Sequence, residues 1–377
     1  MKQRICLILL ITLLILMAGC WDNIDLEERT SVVAIGIDRP KKNKRLFTVT
    51  YQIPIPQRII GGAGGEGGKA TIVLSATGPT INEASMRLQE RLNQEIFLGH
   101  TRVLVISEEV ARGGIQDILD TFRRSPQMRR LMWPMITKGS AKHMLQTNTK
   151  LEQIPTIYIM DLVENGARYG LFPDISLGKF FNDLSDESRE PILNYVLSTE
   201  NEYKWLGAAV FLKDRMIGEL NENEVWSLLH LRDEKKGVSF DVACGKSADK
   251  KTLYATFNPK TIEVKRKFVP RGESYYASYR VRLEGDIIES QCPLDFSKEK
   301  NLVAIQSELN KVATKRAQDL IAKLQNKYKL DALGLGTFVR ATHPLWWNDD
   351  KWREVFPKGQ IDVKYSVLIR RTGMETK

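Results

Sequence analysis

Four cysteines, four histidines, two glycine-rich stretches and several adjacent carboxylates are the residues of this chain that could do chemistry. His and Cys at short spacing give the strongest metal-binding signals. His100, His143, His230 and His343 stand far apart, and none lies at ligand spacing to another His or Cys. They read as packed or surface imidazoles. The run GGAGGEGG, Gly61 to Gly68, contains a G-x-G-x-x-G match at Gly62, Gly64 and Gly67. A dinucleotide site needs a strand before such a run and a helix directly after it. Here a strand follows, so the run reads as the loop of a long hairpin. ACGKSADK carries the Gly-Lys-Ser end of a P-loop, but Phe240 stands where the first glycine belongs. No serine sits in a nucleophile elbow, and no cysteine pairs with a histidine. Asp186-Glu187 and Asp349-Asp350 fall in turns and read as solvated helix ends. The residues give no catalytic, metal or cofactor site.

Cys20 has a different setting. Lys2 and Arg4 put positive charge at the start, and a mostly apolar run, Ile5 to Met17, follows. As a helix that run would reach about 20 Å, short of the ~20 apolar residues that a membrane span needs. A basic start, a short apolar core and small residues before a cleavage point describe a secretory signal. The small residues here are Ala18 and Gly19, directly before Cys20, an arrangement that resembles the bacterial lipobox. Met17 stands where the lipobox usually has Leu. A lipidated Cys20 would begin the mature chain and hold it to the outer surface of a membrane. One acyl chain anchors only marginally, and the diacylglyceryl group of such a cysteine supplies two.

The chain has 377 residues, 42% of them hydrophobic, which is globular material for two or three domains. No later stretch approaches 18 apolar residues. The net charge is +10, and loss of Lys2 and Arg4 with the leader leaves +8. In the cytoplasm that balance would suggest nucleic acid. Outside it, the partners are anionic lipid headgroups or an acidic protein, and no nucleic acid. Of the remaining cysteines, Cys6 leaves with the leader. Cys244 and Cys292 are open to two readings, a disulfide or two buried thiols.

The elements that must position these residues follow from periodicity. TSVVAIGIDRP, Leu46 to Ile53 and Ala70 to Gly78 read as strands. Ile81, Ala84, Leu88, Leu92 and Ile96 recur at helical spacing and predict a helix from Pro79 to Leu98. His100 to Ser107 is a strand, with Ser107 placed to cap the next helix, which Gly113-Gly114 interrupts. A strand around Trp133 and a helix from Ser140 complete an α/β pattern. Residues 151 to 201 read as mainly helical, followed by a tight hairpin around Lys213-Asp214-Arg215 and a helix capped by Asn221. The last third begins as an antiparallel meander. A helix from about Lys298 to Tyr328 carries Leu302, Ile305, Leu309, Val312, Leu320 and Leu324 on one face. The final strand places Ile361, Val363, Tyr365, Val367 and Ile369 on one side. Trp346, Trp347, Trp352 and Phe356 crowd between helix and strand, and read mainly as core packed on the helix, with a partner-facing patch as the other reading. The fold class is α+β, in three domains. A leader at 1–19 precedes an N-terminal α/β domain at 20–148 and a small, mainly helical middle domain at 149–225. The C-terminal α+β domain, 226–377, is an antiparallel sheet covered by a long helix.

Four stretches together resemble one family. They are AGCWDNIDLEERTSVVAIGID, GHTRVLVISEEVARGGIQDILDTFRRSPQMRR, GAAVFLKDRMIGEL and DALGLGTFVRATHPLWWNDDKWREVFPKGQIDVKYSVLIRRTG. Their content and order are similar to the Ger(x)C family, the C-subunit lipoproteins of spore germinant receptors. Gly19-Cys20-Trp21-Asp22, the stretch Ala34 to Asp38, Gly99-His100, Arg370 and Gly373 carry the match. The resemblance implies a three-domain α/β build with no catalytic residues and no cofactor. It implies a lipid anchor on the outer face of the spore inner membrane, with a membrane-spanning A subunit and a transporter-like B subunit as partners. Nutrients would trigger the complex to start germination. The one functional position carried over is Cys20, as the lipid attachment point. Two other classes stay open on the residues alone. A solute-binding lipoprotein calls for a cleft between two α/β lobes, and a cell-wall enzyme for a carboxylate pair in a groove.

Overall fold

The computed structural model describes residues 3–5, 29–56, 70–149, 151–232 and 237–372. Cys20, Trp21, Asp22, the glycine run at 61–68 and Gly373 lie outside the described residues.

The first part of the chain gives β1 (Arg29–Ser31), β2 (Ala34–Asp38), β3 (Phe47–Pro54), β4 (Thr71–Gly78), α1 (Ile81–Gln89), β5 (Glu95–Phe97) and β6 (Val103–Ser107). It continues through α2 (Glu108–Gly113), α3 (Gln116–Arg124), β7 (Trp133–Lys138), α4 (Ala141–Gln146), α5 (Pro155–Tyr169) and α6 (Leu177–Ser185). It closes with β8 (Ile192–Ser198), β9 (Tyr203–Leu212), β10 (Arg215–Leu220) and α7 (Glu222–Leu231). Eight strands form one sheet in the order β10-β9-β8-β7-β6-β2-β3-β4, while β1 and β5 make a separate parallel pair. The four central strands run parallel. Parallel strands are covered on both faces, and accordingly all of β6, VLVIS, is buried. Residues 20–148 and 149–225 both supply strands to this sheet, joined where β7 pairs with β8.

Local chemistry fixes the ends of these elements. Asp38 terminates β2 because its carboxylate accepts Ala141 N and Lys142 N at 2.8 Å each, at the start of α4. Asn221 and Glu224 make a full capping box on α7. Pro155 opens α5, and Gly170 at φ 76° closes it. Two expectations differ. The helix predicted from Pro79 to Leu98 stops at Gln89. The Gln89 side chain accepts Ile96 N and donates to Gln94 O, both at 2.8 Å, and so turns the chain into β5. Ser107 stands at the start of α2 but makes no capping bond, and its hydroxyl is buried without a partner among the described residues.

The second part comprises β11 (Phe240–Lys246), β12 (Thr252–Arg271), β13 (Ser274–Ser290), α8 (Glu299–Ala322), a π-helical turn (Lys323–Tyr328), α9 (Leu335–Thr342), α10 (Trp352–Val355) and β14 (Gln360–Arg371). Its sheet has the order β11-β12-β13-β14. The meander β11 to β13 is antiparallel, and β14 joins β13 in parallel after the chain crosses over through α8. The stretch on either side of Pro259 is one long strand, β12, with irregular register at Thr256/Phe257 and Pro259/Thr261. A bulge is where a strand tolerates a residue that cannot donate to the ladder. Cys244 and Cys292 form a disulfide that ties the end of β11 to the segment after β13.

The long helix buries Ile305, Leu309, Ala313, Ala317 and Leu320, and it packs against the sheet along β14. It also does something that its apolar face does not announce. β14 is an edge strand, and alternate N–H groups along its free edge lack a strand partner. Thr314 Oγ1 accepts Tyr365 N at 3.1 Å, Asn310 Oδ1 accepts Val367 N at 2.6 Å, and Gln306 Oε1 accepts Ile369 N at 2.9 Å. Four helical residues advance about 6 Å and two strand residues about 6.6 Å, so the two rows stay in step. Asn310→Ala should therefore strand one buried N–H and cost about 2 kcal/mol. Urea unfolding would measure it, with the exposed neighbour Lys311→Ala expected to cost under about 0.5 kcal/mol.

Candidate functional site

The two parts meet along a charged seam. One side is the chain between α6 and β8, and the other is the chain from the π-helical turn to α10. Arg340 holds Asp186 with two bonds, at 2.9 and 3.1 Å. Arg353 bridges Glu190 at 2.6 Å and Glu187 at 3.0 Å. Arg189 pairs with Asp183, and Ser188 and Thr337 share a hydroxyl contact at 2.9 Å. The pair Asp186-Glu187, expected at a solvated helix end, is thus part of an inter-sheet latch. Burial raises the Asp186 carboxyl, but the bonds from Ser188 and Arg340 outweigh it and leave the group below its ordinary value. At Glu190 burial wins over Arg353, and the carboxyl is raised.

Asp331 sits at the centre of this seam and is buried. Its Oδ2 accepts Gly336 N at 2.7 Å and Trp352 Nε1 at 3.1 Å, and its backbone carbonyl accepts Glu190 N at 2.9 Å. Its Oδ1 has no partner among the described residues. Burial pushes this carboxyl up to about 6. Tyr328, at the end of the π-helical turn, reaches the other sheet. Its hydroxyl accepts Glu219 N at 3.1 Å and donates to Glu219 O at 2.9 Å, on the edge strand β10. The ring lies where a Cβ on Gly218 would be, 2.3 Å from the nearest ring atom, so that position takes glycine.

The tryptophan cluster packs against the core, as the first reading expects. Trp352 and Phe356 are buried, and Trp352 stacks on Tyr275 at 5.5 Å. The π-helical end of the long helix touches this cluster through Gln325, which donates to Phe356 O. Trp346 and Trp347 are half-buried and, with Lys351, Glu354 and Lys358, line a hollow of about 420 Å³ beside the exposed Leu345. Among the described residues no cluster of His, Cys, Asp and Glu could hold a metal ion. The histidines are dispersed: His100 meets Ser31, His143 meets Ser198, and His343 meets Thr342. Gly245 to Ser247 lead into a hairpin turn closed by Ser247 N on Lys251 O. Of the basic clusters, Lys265 and Lys267 are exposed, while Arg266 turns inward and donates to Leu231 O at 2.7 Å. Arg370 pairs with Glu284 at 2.6 Å, and Cys20 lies outside the described residues.

His230 and Asp331 make opposite contributions to stability across acid pH. His230 is fully buried against Trp226 and Tyr365, and burial holds its imidazole down at about 3. The unfolded chain therefore binds a proton that the folded chain refuses as pH falls from 6.5, a loss approaching about 5 kcal/mol by pH 3. Asp331, raised from 3.8, keeps a proton that the unfolded chain releases, so its contribution falls by about 3 kcal/mol as pH rises to about 6. Between about pH 4 and pH 6 the two slopes cancel. Asp331→Asn should expose the histidine and make stability fall toward acid in that window. His230→Gln should do the reverse. Urea unfolding across the window checks both signs.

Comparison with known proteins places this architecture. Residues 22–197 match the family described as spore germination protein N-terminal domain. Residues 206–373 match that described as spore germination B3/GerAC like, C-terminal. Spore germination protein KC of Bacillus subtilis (strain 168) is 27% identical, over 98% of this chain and 97% of its own. Spore germination protein GerQC of Bacillus cereus is 25% identical, over 97% of this chain and 98% of its own. The crystal structure of the GerBC protein has the same fold, with a TM-score of 0.58 at 19% identity, over 89% of this chain and 96% of that one. With one family model matching each half in turn across nearly the whole length, this chain belongs to the Ger(x)C family, the C subunits of spore germinant receptors, which are not enzymes.

Proposed function

We propose that this chain is the lipid-anchored C subunit of a nutrient germinant receptor. In this reading Cys20 carries a diacylglyceryl group and holds the chain on the outer face of the spore inner membrane. There it contacts a membrane-spanning A subunit and a transporter-like B subunit and supports nutrient-triggered germination. The observation that carries the reading is the match to both halves of the family, in order, over nearly the whole chain. The apolar leader, which ends in Ala18-Gly19-Cys20, supports it further. The division at 20–148, 149–225 and 226–377 belongs to the same proposal, with the first two sharing a sheet. A solute-binding lipoprotein would call for two α/β lobes, and the second part here is a four-stranded sheet with one long helix.

Deleting the gene in a strain without a paralogue should abolish germination in response to a specific nutrient and leave nutrient-independent germination intact. A normal nutrient response would overturn the proposal. Cys20→Ala should leave the chain unprocessed or released from the membrane fraction, read by immunoblot of fractionated spores.

A further inference from the structure

A second hollow opens where α7 and α8 approach the end of α5 and the strand β9. It has a volume of about 310 Å³, at the small end of the range for ligand pockets. Its walls are aromatic. Phe172 and Trp205 stack at 4.5 Å with their planes 25° apart, and Trp226 lines the hollow with them. Both indoles are fixed in place: Trp205 Nε1 donates to Asn194 Oδ1 at 3.1 Å, and Trp226 Nε1 donates to Val238 O at 3.2 Å. A wall held in this way spends little ordering entropy on binding.

One cation lines this hollow, Arg316 of α8. Its guanidinium carbon lies 5.6 Å from the ring centres of both Trp226 and Phe240. Among the described residues it makes no hydrogen bond or ion pair. Asp241 is the acidic group that acts on it through space, and one oxygen of that carboxylate takes the Thr256 hydroxyl at 2.7 Å. Burial lowers the proton affinity of the guanidinium, as expected of a cation stripped of water without a paired anion. A half-buried arginine with free donors, set beside fixed rings, is the arrangement that recognises a carboxylate in the plane of its fork. The other charged residue of the lining is Glu222, which is exposed and disfavours a second negative group on the ligand.

We infer that this hollow is a binding site for a small monocarboxylate with a planar apolar body, its carboxylate on Arg316 and its body against Phe172, Trp205 and Trp226. The inference stands apart from the receptor-docking proposal, because it concerns the chain alone. The test titrates the full-length chain in detergent with phenylacetate and with its neutral isostere phenylacetamide, followed by tryptophan fluorescence and calorimetry. Phenylacetate should bind saturably, and the amide about tenfold or more weakly, the loss expected for one charge-assisted contact. Arg316→Gln should lose about tenfold or more for phenylacetate, to the level of the amide, with an unchanged melting temperature. Absence of saturable phenylacetate binding, or equal binding of acid and amide, overturns the inference. So does a folded Arg316→Gln chain that binds as the parent does. Since Arg316 also packs on two rings, the acid–amide comparison on the unaltered chain decides the matter if the variant fails to fold.

Discussion

The free edge of a β-sheet is a row of backbone groups that must be satisfied, and here one helical segment does that for both sheets. Gln306, Asn310 and Thr314 close the edge at β14, and Tyr328 closes part of the edge at β10. Each is a side chain standing in for a missing strand. The α8 segment is therefore more than a lid over an apolar face. It sets the register of β14 against β13 from outside, and through Tyr328 it holds the second part of the chain to the first. The ionic latch around Asp186, Glu190 and Asp331 joins the same two parts of the chain.

The latch also shows why charge alone says little about stability. Glu284 with Arg370 and Asp362 with Arg280 lie on the open face of the second sheet, where exposed pairs contribute little. At the seam Asp183 and Glu190 are buried against half-buried arginines, and the worth of those pairs lies in not being separated. Removing Arg353 would leave the buried Glu190 carboxylate without its cation. At Asp331 burial outweighs the hydrogen bonds and the Arg232 charge that favour the carboxylate, which is why it carries its proton to an unusually high pH.

Much of this architecture was legible in the residues. The apolar row Ile305, Leu309, Leu320 and Leu324 announces the long helix, and Asn221 announces a helix start that the structure keeps. The alternation from Ile361 to Ile369 gave the last strand and its buried face. Other features needed the fold. Gln306, Asn310 and Thr314 are spaced by four, but on a helix that pattern also describes solvent exposure, and only the position of β14 separates the two. By sequence alone Asp186-Glu187 reads as a solvated turn, because the arginines that claim it lie more than 150 residues away. The helix predicted through Ile96 ended early because a single glutamine side chain competed for the backbone. The pairing of Cys244 with Cys292 could not be told from two buried thiols by spacing. Arg316 is one of many basic residues on its helix, and nothing in its neighbours marks it. Its signal is the absence of a partner, which is a property of the folded chain.

The double role of the long helix has a consequence for damaged or shortened copies of this protein. Both sheets could assemble their own strand pairings without it, up to β13, since those ladders are made earlier in the chain. A product truncated before Glu299 would thus keep most of its strand order while leaving β10 and β13 unguarded at once. Unpaired edges of this kind are templates for neighbouring chains. The expected fate of such a fragment is self-association through those edges.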